Sequence, residues 1–212
     1  KRQYSYVVRS RNQLLQKINS GKASREQLSY WSDRLISIGS EIVLSRQKYL
    51  NQIEPSLEIT TKNLFGDFKG SKLSLKYLTS LRVDPSKIKD DFKQKLEDSF
   101  SKEVLLGRTL YGPHRDDLEF RLNSRNLHVF GSRGEQRLAT MVFKISAYDY
   151  LTNLYKTKVI FLLDDILSEL DKKNKAKLVD YIRTTQAQVF FSLANKDDLP
   201  KSIIQEGKIL EL

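Results

Sequence analysis

Val159-Ile160-Phe161-Leu162-Leu163-Asp164-Asp165-Ile166-Leu167-Ser168-Glu169-Leu170-Asp171 decides the fold class. Its opening run, Val159 to Leu163, is apolar without alternation, which predicts a short strand covered on both faces, as in parallel sheets held between helices. The run ends in two adjacent carboxylates, and ligands of open α/β sheets sit at the carboxyl ends of strands. Such a pair is costly unless something cationic meets it. Mg²⁺ on a nucleotide would serve; the plainer alternative is an Asp that caps the next helix. Spacing then predicts a helix from Lys172 to Arg183, a second apolar run at Val189-Phe190-Phe191-Ser192-Leu193, and short strands near Ile203 and Ile209. Strand, helix and strand in this order predict a right-handed βαβ unit and an α/β protein.

Upstream, Gly131-Ser132-Arg133-Gly134-Glu135-Gln136-Arg137 opens a long amphipathic helix predicted from Arg133 to Tyr155, with Leu138, Met141, Val142, Ile145 and Tyr148 inward. Ser132 and Glu135 have the spacing of a capping box. A capping box does not call for Gly134, which lowers helix stability by about 1 kcal/mol relative to Ala. A serine hydroxyl and a glycine N–H at a helix N-terminus form an anion site, with the glycine letting a phosphate come close.

Farther out, Ser56-Leu57-Glu58-Ile59-Thr60 and Leu73-Ser74-Leu75-Lys76-Tyr77-Leu78 alternate as strands do, Ile88 to Phe100 has helical spacing, and Asp117 to Leu122 reads as a strand. Before Pro55 the pattern is a helical hairpin. Val8, Leu15 and Ile18 share one face; Asn19-Ser20-Gly21 stops that helix; and Leu28, Trp31, Leu35, Ile38 and Ile42 form a seam behind a capping box at Ser24 and Gln27. The expected organisation is therefore a coiled-coil-like arm over residues 1–54 and a second domain over 55–212.

Of 212 residues, 37 are Lys or Arg and 26 are Asp or Glu, a net charge of +11. Residues 1–54 hold ten of the basic and four of the acidic side chains, so this segment attracts polyanions. Arg9, Arg11, Arg34, Arg46 and Lys48 are the candidate DNA contacts on the polar faces of the hairpin, with a merely solvated face as the alternative. At 39% hydrophobic residues the chain can build a core. The absence of cysteine excludes a disulfide scaffold, and two separated histidines, His114 and His128, give no zinc site. No nucleophile elbow is present, so a hydrolase triad is not expected. No apolar run reaches the roughly 18 residues of a membrane helix and none follows the basic start, so a cytoplasmic location without membrane contact is expected.

Three segments carry a family resemblance. Ser132-Arg133-Gly134-Glu135 resembles the signature motif of ABC-type ATPases, Asp164-Asp165 their Walker B end, and Ser168-Glu169-Leu170-Asp171 their D-loop. With Gly107-Arg108-Thr109-Leu110-Tyr111-Gly112-Pro113-His114-Arg115-Asp116-Asp117, these motifs closely resemble the RecF family of bacterial recombination and repair proteins, and the arm is similar as well. The resemblance implies an ABC-type head portion with ATP and Mg²⁺ as cofactors. It implies Asp164 as metal ligand, Asp165 as the catalytic, water-orienting acid, and Ser132, Gly134, Glu135 and Asp171 at the nucleotide of the opposite head. It also implies an ATP-dependent homodimer that clamps DNA at single-strand/double-strand junctions and works with RecR and RecO in recombinase loading.

The chain departs from that pattern in several places. There is no Gly-x-x-x-x-Gly-Lys-Ser/Thr P-loop, and Gly66-Asp67-Phe68-Lys69-Gly70-Ser71-Lys72 has the wrong spacing and order. The chain is thus expected to be the C-terminal portion of a longer protein and not to hydrolyse ATP alone. Arg133 replaces a small residue, Asp165 replaces the commoner Glu, and Ala194-Asn195 stand where many relatives place a switch histidine. Two other classes stay open: the head of another SMC-like ATPase, and a non-enzymatic DNA-binding or protein-docking module.

Overall fold

The computed structural model describes residues 2–65, 72–157, 159–164, 170–185, 187–193 and 208. The decoy glycine segment 66–71, Asp165, Ser168, Glu169, Ala194, Asn195 and the strands expected near Ile203 and Ile209 lie outside the described residues. The chain divides into two compact units, one of residues 1–51 and 76–118, the other of residues 52–75 and 119–212.

In the first unit, α1 (Arg2–Asn19) and α2 (Ser29–Phe65, continuing past this unit) form the expected hairpin, joined through a 3-10 turn at Glu26–Leu28. Gln27 Oε1 accepts from Ser24 N at 3.2 Å. Leu28 and Leu35 of the seam are buried, whereas Trp31, Ile38 and Ile42 are half-buried. The core gathers Tyr4, Val7, Leu35 and Val43 of the hairpin with Leu81 and, from α3 (Ile88–Asp98), Ile88, Phe92 and Leu96. Helix α4 (Phe100–Leu106) follows at once and ends on left-handed Gly107.

One expected strand is a helix. Ser56 to Thr60 belongs to α2, which runs through Pro55. Leu57 and Ile59 alternate with polar residues, but the burial follows helical spacing: Ile53, Leu57, Thr60, Thr61 and Leu64 are buried, while Ile59 is 62% exposed. A buried 3.6-residue stripe outweighs the alternation and the single backbone hydrogen bond that Pro55 forgoes.

The three-stranded sheet has the order β1 (Leu73–Leu78), β2 (Asp117–Leu122), β3 (Arg125–Asn126). Strands β2 and β3 pair antiparallel, with Arg121 opposite Asn126, around Asn123 and Ser124, both at positive φ. A two-residue hairpin requires that backbone, and Asn tolerates it well.

The second unit also contains α5 (Leu127–Phe130), α6 (Arg133–Tyr155), β4 (Phe161–Asp164), α7 (Lys172–Thr185) and β5 (Val189–Ser192). Strands β4 and β5 are parallel, Phe161 facing Val189 and Asp164 facing Ser192, as the β-helix-β order predicts. Met141, Ile145 and Tyr148 of α6 and Leu178 of α7 enclose Phe161 and Leu163, with Tyr148 stacked on Phe161 at 5.1 Å. Both helices therefore feed the same face of the strand pair. Within this chain the helices cover one face of the strand pair, and on the other Leu162 is 68% exposed, with Ile160 and Phe190 exposed as well.

Candidate functional site

The site is built on the start of α6. Ser132 is its N-cap, in extended backbone, and the capping box is closed on both sides. Ser132 Oγ accepts from Glu135 N at 3.3 Å, and Glu135 Oε2 accepts from Ser132 N at 2.8 Å. The Ser132 hydroxyl also donates to Glu135 Oε2 at 2.9 Å. Gln136 fixes the elbow before the helix, its Nε2 donating to the carbonyls of Leu127 and Gly131, each at 3.1 Å.

The two glycines here answer to different constraints. A Cβ on Gly131 would lie 2.4 Å from Leu127 Cδ2 and 2.6 Å from the Leu127 carbonyl, so the elbow itself demands glycine. A Cβ on Gly134 would meet nothing nearer than Ser132 Oγ at 4.0 Å. Among the described residues no contact calls for Gly134, which lies exposed in the first helical turn beside exposed Ser132, Arg133 and Arg137. An exposed helix N-terminus that keeps a glycine at a cost in propensity is open to close approach by an anion.

Asp164 ends β4 as expected and is exposed, its Oδ1 accepting from the Ser192 hydroxyl across the strand pair. Its other oxygen and its place at the carboxyl end of a parallel strand suit a hard cation. Asp171 precedes α7 and accepts from Asn174 N at 2.8 Å and Asn174 Nδ2 at 3.0 Å. Within the chain, then, Asp171 caps a helix. Asp165, the expected catalytic acid, lies outside the described residues.

The first unit holds the Gly107 to Asp117 segment through an internal polar network. Arg11 is buried, donating to Glu103 Oε2 at 2.7 Å, Thr109 Oγ1 at 2.9 Å and Ser32 Oγ at 3.2 Å. This corrects its placement among the DNA-facing cations: Arg11 continues the inward stripe of Tyr4, Val7 and Leu15, a spacing that could have revealed it. Asn12 Oδ1 accepts from Thr109 N, and Glu103 Oε1 from Leu110 N. Gly112 has φ +121°, and its Cβ would lie 2.6 Å from the Tyr4 hydroxyl, so only glycine passes here.

His114 bonds to both sides. Tyr4 O–H lies 2.9 Å from Nδ1 and the Thr109 carbonyl 3.3 Å from Nε2, a pattern the neutral imidazole satisfies by accepting at Nδ1 and donating at Nε2. Burial pushes the His114 pKa down, opposed by the Thr109 carbonyl. Arg46 donates to the Pro113 carbonyl at 2.6 Å and keeps its side chain 45% exposed. Tyr77 donates to Asp116, and burial, followed by that bond, raises the phenol to about 12. Arg9, Arg34 and Lys48 are exposed.

A parallel strand ending on Asp164, joined through α7 to its neighbour and preceded by a serine-capped helix with an unforced glycine, has the architecture of an ABC-type ATPase head. Solved structures agree: RecF-ATP, described as a recombination mediator protein in the RecFOR pathway, matches 92% of the chain and 52% of its own at 27% identity, with a TM-score of 0.77. A second RecF structure, with ATPrS, gives a TM-score of 0.78. No protein-family model matches the chain. Among curated relatives, the DNA replication and repair protein RecF of Geotalea daltonii is 32% identical over 98% of the chain, and that of Lactobacillus gasseri is 31% identical over 99%. The chain is homologous to RecF over nearly its whole length. It spans 58% and 57% of the lengths of those two relatives.

Proposed function

We propose that the chain is part of an ATP-dependent DNA clamp of the RecF kind, in which two heads close on ATP and act at single-strand/double-strand junctions with RecR and RecO. The observation that carries this reading is Gly134, a glycine at the Ser132-capped start of α6 that no contact among the described residues requires. In the proposed dimer, Ser132 and the N–H of Gly134 meet a phosphate held by the opposite head, with Glu135 keeping the serine in place and Asp171 lying beside the same interface. Asp164 would hold Mg²⁺, which when bound neutralises phosphate charge, and Asp165 would orient water. The exposed row of Ile160, Leu162 and Phe190 supports a further P-loop-bearing segment packing against β4 and β5. The division into an arm at 1–54 and a head at 55–212 belongs to this proposal, with exposed Arg9, Arg34 and Lys48 and half-exposed Arg46 offered to DNA phosphates.

The test is Ser132→Arg in the native-length protein, followed by light scattering with and without ATP. Dimerisation should be lost while ATP binding to single heads persists. ATP-dependent dimers formed by the variant would refute the trans role of Ser132.

A further inference from the structure

Three aromatic rings gather on the outer side of the α1–α2 hairpin. Tyr6 meets Trp31 edge-on at 5.8 Å and 68°, and Tyr30 meets Trp31 edge-on at 5.2 Å and 79°. Such pairings satisfy ring quadrupoles without stacking the rings. Tyr6 and Tyr30 are 57% and 62% exposed, a large apolar area to leave in water. The cluster is also rigidly founded, because the buried Arg11 guanidinium ties α1 to Ser32, next to Trp31.

Cations frame the rings. Arg2 and Arg9 stand four residues before and three after Tyr6, and Arg34 stands four after Tyr30, so each shares a helix face with a ring. All three arginines are exposed. The acids nearest in sequence are Glu26 and Asp33, and residues 1–54 as a whole carry ten basic against four acidic side chains.

From this we infer that Tyr6, Trp31 and Tyr30 form a stacking platform for unpaired bases, with Arg2, Arg9 and Arg34 holding the adjacent phosphates. Solvent-exposed aromatics beside arginines are the means by which proteins bind single strands without reading sequence, since every base has a face to stack. A duplex hides those faces, so the surface discriminates single-stranded from double-stranded nucleic acid. The inference rests on the proposed DNA-clamp reading and deepens it by assigning the surface that holds the unpaired strand.

The test uses the native-length protein, labelled oligo(dT)20, a blunt 20-base-pair duplex and a gapped duplex, measured by anisotropy at fixed salt. Trp31, the one tryptophan of these 212 residues, supplies a second readout through the part of the emission that Trp31→Phe removes. The Tyr6→Ala/Tyr30→Ala variant should lose roughly 10-fold or more in oligo(dT)20 affinity, given the typical worth of a base-aromatic stack. Duplex affinity should stay within about twofold, and Tyr6→Phe/Tyr30→Phe should restore single-strand binding. Oligo(dT)20 should quench Trp31. Unchanged oligo(dT)20 affinity in the alanine variant, or unchanged Trp31 emission, with gapped-duplex binding intact, overturns this inference alone and points to a protein on the patch. An unaltered protein that binds none of the three DNAs overturns the clamp reading with it.

Discussion

Glu103→Ala should destabilise the first unit by about 4 kcal/mol, within the range for stripping one partner from a buried ion pair. Arg11 and Glu103 are 1% and 0% exposed and 2.7 Å apart. The truncation leaves the guanidinium with only the Thr109 and Ser32 hydroxyls and deprives Leu110 N–H of its acceptor at 2.7 Å. An orphaned buried donor alone costs about 1–3 kcal/mol, and the unpaired charge adds to it. Removing both charges in Arg11→Met/Glu103→Leu should recover more than half of that loss, because the pair's own desolvation penalty disappears as well. The assay is urea unfolding followed by Trp31 emission, which reports the unit containing both residues. A loss under about 1 kcal/mol for Glu103→Ala, or single-variant losses that simply add in the double variant, would refute the argument that this pair holds the Gly107 to Asp117 segment.

Acidification from pH 7.0 to 5.5 should weaken the first unit. The folded pKa of His114 is depressed, so the unfolded chain binds more protons across this window and stability falls with pH. His114→Gln should flatten the Trp31-detected slope, and an equal slope in both proteins would exclude His114 as its source. Burial raises the Asp149 carboxyl in the second unit, which acts with the opposite sign: its contribution is present at low pH and is lost as pH rises through the folded pKa. Gly131→Ala should cost about 1–3 kcal/mol by overpacking against Leu127, whereas Gly134→Ala should be neutral or stabilising by up to about 1 kcal/mol while weakening ATP-dependent dimerisation; paired thermal melts and light scattering separate the two. Asp165→Asn should lengthen the lifetime of the ATP dimer, and an unchanged lifetime would remove Asp165 from the proposed hydrolysis.

Local periodicity and short-range chemistry were legible in the order of the amino acids. The capping box at Ser132 and Glu135, the α6 span from Arg133 to Tyr155, and the β4–α7–β5 order all depend on residues near one another in the chain. Matters that depend on the neighbours an element acquires came from the folded chain alone. Ser56 to Thr60 became helix because Leu57 and Leu64 found a buried stripe that alternation does not record. The spacing of Arg11 with Tyr4, Val7 and Leu15 marks it as inward, but the carboxylate that pairs with it at 2.7 Å, Glu103, is distant in sequence. Helices α6 and α7 both joined the core at Phe161 and Leu163, and which of the two apolar faces of β4 they cover is a choice of side that an apolar run does not encode. Gly131 and Gly134 are the same letter in the sequence, and only the surrounding atoms show that Leu127 forces the first to be glycine while no described residue crowds the second.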